Sequence, residues 1–312
     1  MSSAIGHTPV GVIVRNELRS LAREKTFLLL LGIFLTMTFF AVYIGWSTRS
    51  TTNAIYQASV TYLAVQGTPT SIPNPLSGVS ALSVFNNMLI YILLIGALLA
   101  IVIGHRSFIR ERKSGVLPLT FVRPVRKTQY AFAKLLGIFL ALAGVVVATY
   151  VVSAGSALFI PALHLSGHEF LYLLGFYGVS FLYLSIFATL GLLFAIISSN
   201  ESTALFVPIL LWVGVVFIMP ELTTGQNPVA LLNPVTLASA VPTPGVFFGL
   251  MHNLLSPFSI GQFYTRASLA FFSSDISSVM LPFFTLFGYL ALSVGATGYL
   301  LTRHTNANDL LL

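Results

Sequence analysis

Three residues have the types and spacing of a metal site: His164, His168 and Glu169, in "HLSGHE". An i, i+4 histidine pair beside a carboxylate holds a divalent cation when all three lie on one helix. Gly167 and the loop-like surroundings argue against a helix there, and no fourth ligand stands nearby. The competing reading is a polar loop that caps the apolar segment starting near Phe170, and no metal is expected. Other reactive groups are equally scarce. The chain has no cysteine, which removes thiolate nucleophiles, thiolate metal sites and disulfides. Neither G-x-S-x-G nor H-E-x-x-H occurs, and the phosphate loop G-x-x-x-x-G-K-[ST] is missing: Lys113–Ser114 follows Arg112 and lacks a cradle of glycine amides. The chain itself is therefore not expected to be an enzyme or to hold a cofactor.

One stretch gathers charge that the rest avoids. In "RERKSGVLPLTFVRPVRK", Arg110–Lys127, basic residues surround a short apolar run, although only 7% of the whole chain is charged. Gly115 and Pro118 permit a bend, and Leu117, Leu119 and Phe121 form a small apolar knob. Such a knob, exposed to water, is wasted unless it docks into another surface.

The elements that position these residues follow from composition. With 56% hydrophobic residues over 312 positions, the chain departs from soluble proteins, which carry about 25% charged residues. Apolar runs long enough to cross a bilayer are expected as helices, because the backbone must satisfy its own hydrogen bonds in hydrocarbon. The reading is an all-α polytopic membrane protein, a single domain with six spans near 27–46, 84–104, 135–160, 170–197, 204–219 and 279–301. None contains Asp, Glu, Lys, Arg or His within those bounds, which weighs against ion-coupled carriers, since these keep charge at mid-membrane. The first span is too long for a cleavable leader and is read as a retained anchor.

Thirteen of the fifteen basic residues fall on one side of these spans, so that side, with both termini, is expected to be cytoplasmic. Topology and anionic lipid account for the net charge of +7, and nucleic acid is not expected as a partner. Ahead of the first span, residues 11–25 have helical period. Val14, Leu18, Leu21 and Ala22 share one face and Arg15, Arg19 and Arg23 another, with Glu17 between them, as in a helix lying in the bilayer interface. Residues 105–134 form the basic connection between the second and third spans. Residues 47–83 read as an external polar segment, and 221–278 as an external run broken by prolines into re-entrant or interfacial pieces. In the third span Gly137, Ala141, Gly144 and Ala148 make a stripe that lets another helix approach, within the chain or in a second subunit.

The connection resembles that of ABC transporter permeases of the type 2 exporter class, which reads roughly E-x-x-x-G-T-L-x-x-L-L-x-x-P-x-x-R with a Lys further on. Glu111, Gly115, Leu117, Phe121, Pro124, Lys127 and Lys134 stand in register, with Val116 where Thr is usual, Thr120 for Leu and Lys127 for Arg. "RNELRSLAREK" is similar to the family's basic entry helix, and "SSNEST", with Glu201, sits where a second cytoplasmic contact lies. The layout is also similar to the permease of the transporter that supports maturation of nitrous oxide reductase. The resemblance implies a half-transporter in the cytoplasmic membrane, paired with a second permease copy as homodimer or heterodimer. Two ATP-binding subunits would hold ATP and Mg. Glu111, Gly115, Leu117, Leu119, Phe121, Pro124, Arg126, Lys127 and Glu201 would couple ATP hydrolysis there to export. A channel or carrier independent of ATP is the main alternative, with an intramembrane enzyme or a membrane anchor for an assembly behind it. The substrate is not legible.

Overall fold

The structure, a computed structural model, describes residues 9–67, 72–115, 126–160, 163, 165–224 and 246–304. Among them all regular structure is helical, and six helices are long and apolar enough to cross a membrane. In chain order the helices are α1 (Pro9–Ala22), α2 (Lys25–Val65), α3 (Ala81–Lys113), α4 (Lys127–Phe159), α5 (Gly167–Ile197), α6 (Glu201–Ile218, with a further turn Met219–Thr224), α7 (Val246–Leu255), α8 (Ile260–Phe272) and α9 (Met280–His304).

Helix α5 is the axis of the bundle, packed against α3, α4, α6, α8 and α9. Its closest neighbour is α3, and the reason is a pair of glycines. A methyl group at Gly104 would overlap the Ala188 carbonyl, and one at Gly191 would overlap the Ile101 carbonyl. Gly104 and Gly191, with Ala97, Ala100, Ala188 and Ala195 buried along the same two helices, thus give the small-residue contact that lets membrane helices touch by their backbones. Hydroxyls complete the axis. Tyr177 Oη and Ser153 Oγ share a hydrogen bond of 2.6 Å to α4, Ser180 and Tyr264 one of 3.1 Å to α8, and Thr189 donates to Ser293 of α9 at 2.8 Å.

Two helices carry a turn of π-helix, Ile92–Gly96 in α3 and Gly214–Ile218 in α6. Within the first of these turns the Leu93 carbonyl accepts from Tyr183 Oη at 3.0 Å and Trp212 Nε1 at 3.2 Å, so one carbonyl fastens α3, α5 and α6 together.

Several helices outrun the spans expected from sequence. Helix α2 continues from Trp46 to Val65, so the first part of the 47–83 segment is helix and not polar loop. Its Ser and Thr residues donate back to the carbonyl four positions earlier, Thr48 to Ile44, Thr52 to Thr48, Ser59 to Ile55 and Thr61 to Gln57, each at 2.9 Å. Polar composition there is compatible with helix because these four hydroxyls are satisfied locally. Helix α3 starts at Ala81 and runs on past Gly104 to Lys113, and α4 starts at Lys127 and not at Leu135, so half of the expected 105–134 connection is helical. The broken segment before the last span contributes α7 and α8, and α8 buries Tyr264 against Tyr183 with ring centroids 4.4 Å apart.

Candidate functional site: the charged end of the bundle

The ends of α1, α3, α4 and α6 and the start of α2 converge at one end of the bundle, where their charged residues form a connected network. Its centre is Lys134, which is 0% exposed. The ammonium donates to Glu17 Oε2 at 2.7 Å, to Glu111 Oε1 at 2.7 Å and to the Ser107 carbonyl, which satisfies all three of its protons. Glu17, 1% exposed, also takes Arg110 Nη2 at 3.2 Å, and Glu111 accepts the Tyr130 hydroxyl. The chain of charges continues outward: Arg110 lies 3.8 Å from Glu24, Arg106 Nε 3.2 Å from Glu24, Arg106 4.0 Å from Glu201, and Glu201 pairs with Lys113. Arg112 donates to the Ser198 carbonyl at 2.7 Å, and His105, buried, lies 3.4 Å by Nε2 from the Glu201 carbonyl. The links join α1 to α4, α3 to α4, α1 to α3 and α3 to α6, so these four helices are one electrostatic unit.

Local sequence builds this arrangement. Ile13, Glu17 and Leu21 recur every four residues on the face of α1 that lies on α4, and Gly137 makes room for Glu17, whose Cγ would stand 3.0 Å from a β-carbon at that position. Glu17 therefore does not belong to the interfacial polar face expected of α1. It is a buried partner of Lys134, while Arg15, Arg19 and Arg23 are exposed. The small-residue stripe divides in the same way: Gly137 seats α1, Ala141 and Ala148 are partly buried, and Gly144 is exposed with open space beside it.

Of the expected coupling residues, the structure brings Glu111 and Glu201 into this network. Gly115 ends α3 in the left-handed region at φ 64°, the terminating glycine conformation of many helices. Arg126 is exposed at the start of α4, where its backbone N–H donates to Gln129 Oε1 at 3.4 Å, and Lys127 is the first residue of that helix. Leu117, Leu119, Phe121 and Pro124 lie outside the described residues, as does His164. His168 and Glu169 stand in the first turn of α5, which begins only at Gly167, and Leu165 and Ser166 ahead of it are not helical. The capping role holds: Ser166 and Glu169 close a reciprocal cap, Ser166 N–H to Glu169 Oε2 at 2.7 Å and Glu169 N–H to Ser166 Oγ at 3.3 Å. Among the described residues no group of three or more metal-ligating side chains converges.

Sequence reasoning missed the pairing of Glu17 with Lys134. The signal was present: each is a single charge at the centre of an apolar helical face, Glu17 between Ile13 and Leu21, Lys134 among Ala131, Leu135 and Ile138. Two such misplaced charges of opposite sign are a pair in search of each other. The glycine contact of α3 with α5 was legible in the same sense, in the spacing of Ala97, Ala100, Gly104 and of Ala188, Gly191, Ala195.

A multi-pass helical membrane protein with most of its fixed charge gathered at one end of the bundle is the class that fold and site define. The chain belongs to the ABC-2 family of transporter proteins, whose pattern it matches over residues 12–305. The match singles out no narrower group, including the nitrous oxide reductase maturation transporters. No curated protein matches the chain at a significant level.

Proposed function

We propose that this chain is the membrane-spanning subunit of an ATP-driven exporter, and that a separate ATP-hydrolysing subunit docks on the connection between α3 and α4. The observation that carries the reading is the seat of that connection. It leaves α3 just after Glu111 and enters α4 just before Tyr130 and Lys134, so both of its anchors share one buried ion network with α1 and α6. A displacement of the connection by a partner is thereby passed to α1, α3 and α4 through buried contacts that water screens little, and to α6 through half-exposed pairs. The surplus of cations at this end makes it the cytoplasmic one. The partner holds ATP and Mg, and a second permease copy completes the translocation path. The charge-free middle of the described spans supports an external energy source over coupled ions.

The test is assembly. The chain is co-expressed with a candidate phosphate-loop ATPase partner, and Gly115→Glu and Leu117→Glu variants are compared with the parent. Expected are normal membrane insertion and loss of the co-purified ATPase or of transport-stimulated hydrolysis. Variants that assemble and transport as the parent does remove the connection from the docking surface.

A further inference from the structure

At the end of the bundle opposite the charged network, a cleft of about 790 Å³ opens between the start of α3, the end of α8 and the start of α9. That volume lies in the range of small-molecule sites. Its walls are of two kinds. Leu269 and Phe272 of α8 and Leu281 and Pro282 of α9 make an apolar side, whereas Asn86 and Arg266 present polar groups to the same space.

The electrostatics of this end single out Arg266. The other arginine there, Arg49, is committed: it donates to the Ser80 carbonyl at 2.9 Å and to Ser83 Oγ at 3.3 Å, bracing the wall of the cleft. Glu169 is taken up in the cap of α5. Asp275 accepts from Ser277 Oγ at 2.6 Å, and with Ser278 this holds its carboxyl below the ordinary range and keeps it ionised, yet it makes no ion pair with Arg266. Arg266 has no carboxylate or hydrogen-bond acceptor within bonding distance among the described residues, and neither does the amide of Asn86. A guanidinium beside an apolar wall, with no ion-pair partner among the described residues, matches an anionic head attached to an apolar chain.

We infer that this cleft binds an anionic amphiphile, its phosphate or carboxylate on Arg266 and Asn86 and its chain along Leu269, Phe272, Leu281 and Pro282. A membrane lipid and a soluble alkyl anion share this chemistry. The inference concerns binding alone and stands or falls without any ATPase.

The test uses the purified full chain in a neutral detergent, titrated with dodecyl phosphate, dodecanol and inorganic phosphate, with binding read from the shift in thermal unfolding. Dodecyl phosphate is expected to raise the midpoint at least several-fold more than either half-ligand at equal concentration. Arg266→Gln is expected to weaken dodecyl phosphate at least tenfold. Arg303→Gln, at the far end of α9, is expected to leave it unchanged. Leu281→Ser, at an exposed position, is expected to weaken dodecyl phosphate while leaving unfolding in its absence unaltered. Analysis of co-purified lipid then separates the sources. Phosphatidylglycerol retained by the parent and lost from Arg266→Gln assigns the site to membrane lipid, and a lipid-free preparation that binds dodecyl phosphate assigns it to a soluble amphiphile. Equal binding by the parent and Arg266→Gln, or by dodecanol and dodecyl phosphate, overturns the proposal.

Discussion

Lys134 and Glu201 look alike in a list of charged residues, yet burial separates what they do. Lys134 is enclosed with Glu17 and Glu111, and removing one partner of a buried ion set leaves the others uncompensated, at about 3–5 kcal/mol. Lys134→Met is therefore expected to lower stability by about that amount, read as a lowered unfolding midpoint in detergent. Lys134→Met combined with Glu17→Met removes both charges of the most buried pair, and is expected to recover part of the loss. A double variant no better than the single one would show that Glu17 is not the partner that matters. Glu201 sits in water by comparison, and exposed pairs are worth about 0–1 kcal/mol. Glu201→Ala should hardly move the midpoint, so any loss of ATPase stimulation in that variant reports coupling and not folding. These residues also mark the limit of the sequence reading. Glu111 and Glu201 were legible because they lie in recognisable motifs. Glu17 was assigned by its charge to a polar face, because only a tertiary partner makes a buried carboxylate tolerable and no local pattern names that partner.

Among the elements, α3 and α5 form the least compliant contact, because two glycines put backbone against backbone. Gly104→Val is expected to abolish the folded protein, since the side chain has only the Ala188 carbonyl to displace, and no side chain can rotate away to admit it. Gly144→Val is the counterpart: nothing lies near Gly144, and the change should stay within about 0.5 kcal/mol of the parent. Fluorescence-detected size exclusion distinguishes the two, as loss of the monodisperse peak for the first and its retention for the second. A Gly144→Val chain that stays folded but no longer self-associates would place that glycine at the contact with a second permease copy. Element lengths were only partly legible. Hydropathy located all six crossing helices but not their ends, since α2 and α3 continue as helix after the apolar signal stops. In α2 the continuation rests on hydroxyls bonded to their own backbone, and in α3 on charged residues satisfied by other helices.

At the scale of the whole molecule, the two ends differ in chemistry. One end concentrates the ion network and the mouth of the α3–α4 connection; the other holds a mixed polar and apolar cleft and the hydroxyl-rich part of α2. Between them α5 links the two through Thr189, Tyr183, Ser180 and Tyr177, each bonded to a different neighbour. This division was half visible beforehand. The asymmetry of charge is a one-dimensional property and survives in any reading of the chain. The cleft is a product of α8 folding back beside α5, which composition could suggest only as a broken external segment. With the ATPase bound, dodecyl phosphate is expected to change the rate of hydrolysis in the parent and not in Arg266→Gln, if the two ends communicate through α5. Identical rates in both chains would mean that the ends act independently.

Helix α2 is 41 residues long, about 61 Å, against a hydrocarbon layer of about 30 Å. Its inner half is pinned where Gly45 lies on the Val84 backbone and Arg49 clasps Ser80, while farther out Tyr56 Oη donates to the Ile72 carbonyl at 3.4 Å. Mechanically that is a rod on a fulcrum. The tip at Val65 stands about 24 Å beyond Arg49, so a rotation of about 6° at the pivot swings it by about 2.5 Å. Small tilts among the packed helices, too slight to resolve at their own sites, are thus magnified at the tip. Because the chain has no cysteine, a single cysteine at the exposed Val65 would carry the only label, turning the rod into a pointer for motion in the bundle beneath it.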